Sequence, residues 1–149
     1  MTTQTTSTAQ SVRADVCIVG NGAIAKTAAL GLSQAGHSVT LLVPPARSQD
    51  ESAPAPGGEQ PWDVRVYALN HTAQQLLASL KVWGALDMAR VAPVDAMDVQ
   101  GDGEKGGHLG FDAFGAHAGT LAWIVEDSNL NGALDAALRF AQNVNIVSG

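Results

Sequence analysis

The chain has 149 residues, 46% hydrophobic and 15% charged, with a formal net charge of −6. That is one domain's length with enough apolar material for a core, and scattered acids without a basic stripe argue against nucleic acid as a partner. A single cysteine and four scattered histidines give no disulfide framework and no metal-ligand spacing, and no apolar run is long enough to cross a membrane.

Residues 1–13 are rich in Thr, Ser and Gln, carry one charge at Arg13 and lack the apolar core of a signal peptide. They read as a disordered tail, followed by one domain over 14–149. Asp15 to Val19 is a short, β-branched run suited to a buried parallel strand, in which Cys17 reads as a small buried hydrophobe. Gly20-Asn21-Gly22 breaks that run. From Ala23, the residues Ile24, Ala28, Leu32 and Ala35 fall on a helical stripe, and Gly36 closes the helix from its C′ position. Ser38 to Val43 is a second strand, so the stretch reads as one βαβ unit with a glycine turn at its first junction.

The spacing in that turn carries chemistry. Gly20 lets the chain leave the strand sharply, and Gly22 has no Cβ to keep a pyrophosphate from the backbone. Ala25 stands at the third position of G-x-G-x-x-G/A, where only close helix–strand packing is required. Unpaired amides and the positive end of the helix dipole would stabilise an anion there. The acid expected about twenty residues on, to hold ribose hydroxyls, is replaced by Val43, followed by Pro44 and Pro45; the next acids are Asp50 and Glu51. A charge-assisted hydrogen bond is worth ~1.5–3 kcal/mol, so its loss would weaken binding roughly ten- to a hundredfold. Arg47 is either a solvated loop charge or a partner for a 2′-phosphate, which leaves an NADP-binding reductase as an alternative.

Residues 44–61 hold five of the six prolines and no large apolar side chain. They read as a flexible loop. Order returns at Trp62 to Asn70. Asn70 is a candidate N-cap, and Ala73, Leu76, Leu77 and Leu80 give a helical face. Val82 to Leu86 follows. Pro93 to Gln100 reads as a strand, the glycine-rich 101–107 as a mobile connection, and Leu109 to Phe114 as a strand pairing back antiparallel. Thr120 to Val125 is another strand. Asp127 or Ser128 then caps a helix with apolar positions Leu130, Ala133, Leu134, Ala137, Leu138 and Ala141, and Asn145-Ile146-Val147 begins one more strand. With Gly149 ending the sequence there, the fold reads as truncated.

The stretches DVCIVGNGAIAKTAALGLSQAGHSVTLL, RVYALNHTAQQLLASLKVWGAL, APVDAMDVQGD and LGFDAFGAHAGTLAWIVEDSNLNGAL, in this order, resemble the N-terminal part of the flavin-dependent aromatic hydroxylases of the ubiquinone-biosynthesis type. The resemblance implies an α/β, Rossmann-like FAD-binding fold with a parallel sheet and an inserted antiparallel patch. It implies that Gly20, Gly22 and Ala25 receive the FAD pyrophosphate. Arg65, which opens RVYALN, would contact FAD, its other reading being an exposed strand-end charge. Asp127 falls where the family usually carries an amide that touches the cofactor; a carboxylate there would repel a pyrophosphate.

The implied function is an FAD-dependent monooxygenase, with NAD(P)H as reductant, acting on an aromatic or ubiquinone-precursor small molecule. The implied location is cytoplasmic, with peripheral association with the inner membrane or a protein complex left open. The cofactor supplies the chemistry, so no nucleophile or acid–base pair is required, and no catalytic residue is assigned. The 149 residues alone are expected not to hydroxylate, and the alternative from another class is a non-catalytic nucleotide-binding or interaction module.

Overall fold

The computed structural model describes residues 13–45, 62–103 and 106–149. Most of the N-terminal tail and of the proline-rich loop, including Arg47, Asp50 and Glu51, lie outside the described residues. In chain order the elements are β1 (Val16–Val19), α1 (Ala23–Gln34), β2 (Val39–Val43), β3 (Val66–Leu69), α2 (His71–Ser79), β4 (Val91–Val94), β5 (Ala96–Gln100), β6 (His108–Asp112), β7 (Ala122–Glu126), α3 (Asp127–Leu138) and β8 (Val144–Ser148). Short 3-10 turns occupy Trp83–Ala85 and Met88–Arg90. No helix among the described residues is long and apolar enough to cross a membrane.

The expected βαβ unit is present. β1 and β2 pair in parallel, Val16 opposite Val39 and Val19 opposite Leu42. α1 between them closes with Gly36 at φ 92°. The Gly36 amide donates to the Ser33 carbonyl and the His37 amide to the Leu32 carbonyl, both at 3.0 Å, the pair of hydrogen bonds that an αL residue at C′ permits. β8 adds a third parallel strand on the other side of β2, with Val144 opposite Val39. α1 packs on this sheet and against α3. The core lies between them: Val39, Leu41, Ala29, Leu30, Leu130 and Leu134 are all buried, each large side chain contributing about 1.5–3 kcal/mol relative to exposure.

Two antiparallel sheets follow rather than one patch. β7 is the centre of a three-stranded sheet with β3 and β4 at its edges, Val66 opposite Glu126 and Val91 opposite Val125. β5 and β6 form a separate hairpin, Ala96 opposite Asp112. The strand expected over Pro93 to Gln100 is therefore two strands that change sheet at Asp95. Pro93 lies on the edge strand β4, where a missing amide costs no ladder bond. Asp95 spends its carbonyl on the Ala113 amide at 2.7 Å. Thr120, expected to open a strand, instead donates its hydroxyl to the Val94 carbonyl at 2.9 Å, and β7 starts at Ala122.

Three further expectations are corrected. Cys17 is exposed. It alternates away from Val16 and Ile18, onto the sheet face opposite the helices, where it is level with Thr40 and Asn145. Ile24 and Ala28 also face outward, Ile24 with 88% of its surface exposed, while Lys26, Ala29 and Leu30 are buried. α1 is apolar almost all round, so periodicity could not choose its buried face; the inward Lys26 is tolerated because its Nζ meets Asp135 of α3 at 2.7 Å. Finally, Glu126 occupies the N-cap position of α3 without a side-chain cap bond, and Asp127 is the first helical residue.

Candidate cofactor-binding site

The first half of the site is the β1–α1 turn. Gly20 stands at φ 141°, and its amide donates to the Leu42 carbonyl at 2.9 Å. A Cβ at Gly20 would come within 3.3 Å of the Ala25 Cβ, so the strand end and the first helical turn meet at these two positions. Gly22 is the N-cap of α1, in an ordinary extended conformation, and its carbonyl accepts the Lys26 amide at 3.1 Å. The amides of Ala23, Ile24 and Ala25 then have no intrahelical acceptor. A Cβ on Gly22 would meet nothing within 4 Å, and the first turn of α1 carries no acid. An open space bordered by free amides at the positive end of a helix suits a phosphate. At the end of β2, Val43 packs partly against the core and offers no ribose ligand.

The second half is where the chain entering β3 meets the start of α3. Asp63, Arg65 and Tyr67 lie along the chain that bends at Val64 and then enters β3. One Asp63 carboxylate oxygen accepts the Arg65 amide at 2.9 Å, and the other accepts the Ser128 amide at 3.0 Å. The cap of α3 thus comes from a residue 65 positions earlier. These amide bonds, the Arg65 bond foremost, hold the Asp63 carboxyl below its ordinary range.

The Arg65 carbonyl accepts the Asp127 amide at 2.9 Å. Oδ1 of Asp127 accepts from the Tyr67 hydroxyl at 2.6 Å and from Asn131 Nδ2 at 2.7 Å. Oδ2 lies 3.4 Å from the Arg65 guanidinium, whose side chain is 77% exposed while that of Asp127 is 14% exposed. The hydrogen bond to Asp127, with smaller contributions from burial and from the carboxylate charge, raises the Tyr67 phenol above its ordinary value.

Behind this cluster Glu126 points the other way. Its Oε2 pairs with Arg90 Nε at 2.9 Å, and the Arg90 guanidinium sits 4.8 Å over the Trp62 ring.

One residue of the second half, Tyr67, shares an apolar groove with the first turn of α1. Ala23 and Ile24 of the first turn of α1 line it on one side, and Tyr67, Leu77 and Leu130 line it opposite. Arg65 and Asp127, singled out in the sequence, are in direct contact. Asp63, Tyr67 and Asn131 were not singled out. An aspartate two residues before Arg65, able to bond its amide, and Asn131 four residues after Asp127 on a helix are local signals that would have found Asp63 and Asn131.

No protein-family model matches the chain. Over 124 residues it is 34% identical to 3-demethoxyubiquinol 3-hydroxylase of Escherichia coli K12, which spans 83% of this chain and 30% of that enzyme. Among solved structures, p-nitrophenol 4-monooxygenase PnpA of Pseudomonas putida is 20% identical at a TM-score of 0.58, covering 89% of this chain and 31% of its own. The flavin-dependent monooxygenase PieE, solved with FAD and substrate, is 19% identical at a TM-score of 0.61, covering 93% of this chain and 24% of its own.

The fold is therefore shared with part of the flavin-dependent monooxygenases. More narrowly, the sequence is similar to the N-terminal part of a ubiquinone-biosynthesis hydroxylase, as the four quoted stretches indicate. The chain spans about 30% of the length of that relative.

Proposed function

We propose that this chain is the cofactor-gripping, N-terminal portion of an FAD-dependent monooxygenase, Rossmann-like in its parallel layer, that hydroxylates an aromatic or ubiquinone-precursor ring with NAD(P)H as reductant. The observation that carries this reading is the β1–α1 turn: open space over Gly22, three amides without helical acceptors and no acid in the first turn of α1. When bound, FAD supplies the redox and oxygen chemistry. The residues of this chain bind and orient it. Gly20 and Ala25 set the close approach of strand and helix, Gly22 leaves room for the pyrophosphate, and Arg65 offers a planar fork of donors to phosphate or ribose oxygens. Asp127 belongs to the same cluster through its contact with Arg65.

Titration of the purified protein should give tighter binding of FAD than of NADP. Tighter binding of NADP would reject the flavin reading in favour of a reductase. One observation favours a second reading, a nucleotide-binding module without turnover. Val43 holds the place of the ribose acid, and this lowers affinity for any dinucleotide.

A further inference from the structure

We propose that Asp127 is a positioning residue: it holds the Arg65 guanidinium ready for a cofactor phosphate instead of touching the cofactor itself. This inference rests on the FAD reading above and assigns Asp127 a role within it.

The geometry around the carboxylate carries the inference. Oδ1 already accepts two hydrogen bonds, from the Tyr67 hydroxyl and Asn131 Nδ2, which fills that oxygen. Oδ2 faces the Arg65 guanidinium. Asp127 is also the first residue of α3, where the helix dipole favours a negative charge. Its charge is thus compensated from three directions, which removes the repulsion a bare carboxylate would exert on a phosphate.

Arg65 is fixed at both ends. Its amide donates to Asp63 and its carbonyl accepts from Asp127, while its guanidinium lies against the same Asp127. The Arg65 side chain is largely exposed, and its guanidinium has five donors in a rigid fork, more than one carboxylate oxygen can engage. The ion pair biases the guanidinium toward Asp127, so less rotamer freedom is left to lose when a ligand binds.

The test is a cycle of FAD dissociation constants, read by quenching of flavin fluorescence, on the wild type, Asp127→Asn, Arg65→Ala and the double variant. Asn keeps an acceptor for Tyr67 and Asn131 but removes the charge facing Arg65. Asp127→Asn should weaken FAD binding roughly two- to fivefold, the range of an exposed ion pair. Arg65→Ala should weaken it by about tenfold or more. The double variant should bind no more weakly than Arg65→Ala alone. Tighter or unchanged binding in Asp127→Asn, or an equal extra loss in the Arg65→Ala background, would overturn the positioning role. A merely structural residue would give that extra loss.

Tyr67 is the chain's only tyrosine and supplies a second readout that needs no flavin. Its phenolate absorbance should titrate at lower pH in Asp127→Asn and at higher pH in Arg65→Ala, because the carboxylate raises and the guanidinium lowers its pKa. An unchanged midpoint in Arg65→Ala overturns the proposed contact even if Asp127→Asn fails to fold. Absence of FAD uptake by the wild type would reject the flavin reading itself, and this role with it. Uptake by the wild type with additive losses would reject the role of Asp127 alone.

Discussion

At Gly20 the backbone stands at φ 141°, a region that L side chains rarely adopt, and a Cβ there would press on Ala25 at 3.3 Å. Gly20→Ala should therefore lower stability by about 1–3 kcal/mol, read as a reduced urea midpoint. An unchanged midpoint would mean that the turn relaxes at no cost. Two aspartates contribute to the acid limb of stability. Oδ2 of Asp15 accepts from the Ser38 hydroxyl at 2.7 Å and from its amide at 2.8 Å, and these bonds lower its pKa. Asp63 is lowered first by the Arg65 amide. In both, the native pKa lies below the unfolded value near 3.8, so the unfolded chain binds more protons as pH falls. Their contribution is complete above that value and is lost as pH drops through the lowered native pKa. Unfolding midpoints should be flat in this respect at neutral pH and fall below about pH 4. The fall should be shallower in the Asp15→Asn, Asp63→Asn double variant; an identical acid limb would remove these bonds from the account.

At the scale of elements, the junction of β7 and α3 places Glu126 and Asp127 in two different environments. Glu126 is 4% exposed, pairs with Arg90 through Oε2 and has no hydrogen-bond partner at Oε1. Removing Arg90 leaves the buried Glu126 carboxylate without the guanidinium that faces it, so Arg90→Ala should cost about 3 kcal/mol or more. A loss below about 1 kcal/mol would show that the pair behaves as a surface contact.

The elements themselves were largely legible. The β-branched run before Gly20 and the Leu130, Ala133, Leu134, Leu138 stripe each specify one structure, and Asn70 caps α2 as its side chain allows, accepting the Ala73 amide at 2.9 Å. What could not be read depended on partners distant in the chain. The inward Lys26 needs Asp135, the cap of α3 needs Asp63, and the break at Asp95 follows from β4 joining β7 while β5 joins β6. Of the site, the glycine turn was visible because its spacing is local, whereas Arg65 and Asp127 stood out only through the resemblance of the stretches that hold them. Asn131 stands at the local i, i+4 spacing from Asp127, but Tyr67 reaches Asp127 only because β3 pairs with β7, which leads into α3.

At the scale of the whole molecule, the parallel layer leaves the first amides of α1 without helical acceptors at the carboxyl end of β1, and the second sheet brings Tyr67 to a groove that Ala23 and Ile24 of the same helical turn also line. The central claim is that Gly22 marks the place of the FAD pyrophosphate, and Gly22→Val tests it directly. The backbone at Gly22 is extended and any Cβ there is free of protein contacts, so the variant should fold with an unchanged circular dichroism spectrum and urea midpoint. Its branched side chain would fill the space the phosphate needs. FAD affinity, measured by flavin fluorescence on the folded protein, should fall by at least about tenfold, a loss of ~1.4 kcal/mol. A folded Gly22→Val protein that binds FAD as tightly as the wild type would contradict the account and place the cofactor elsewhere.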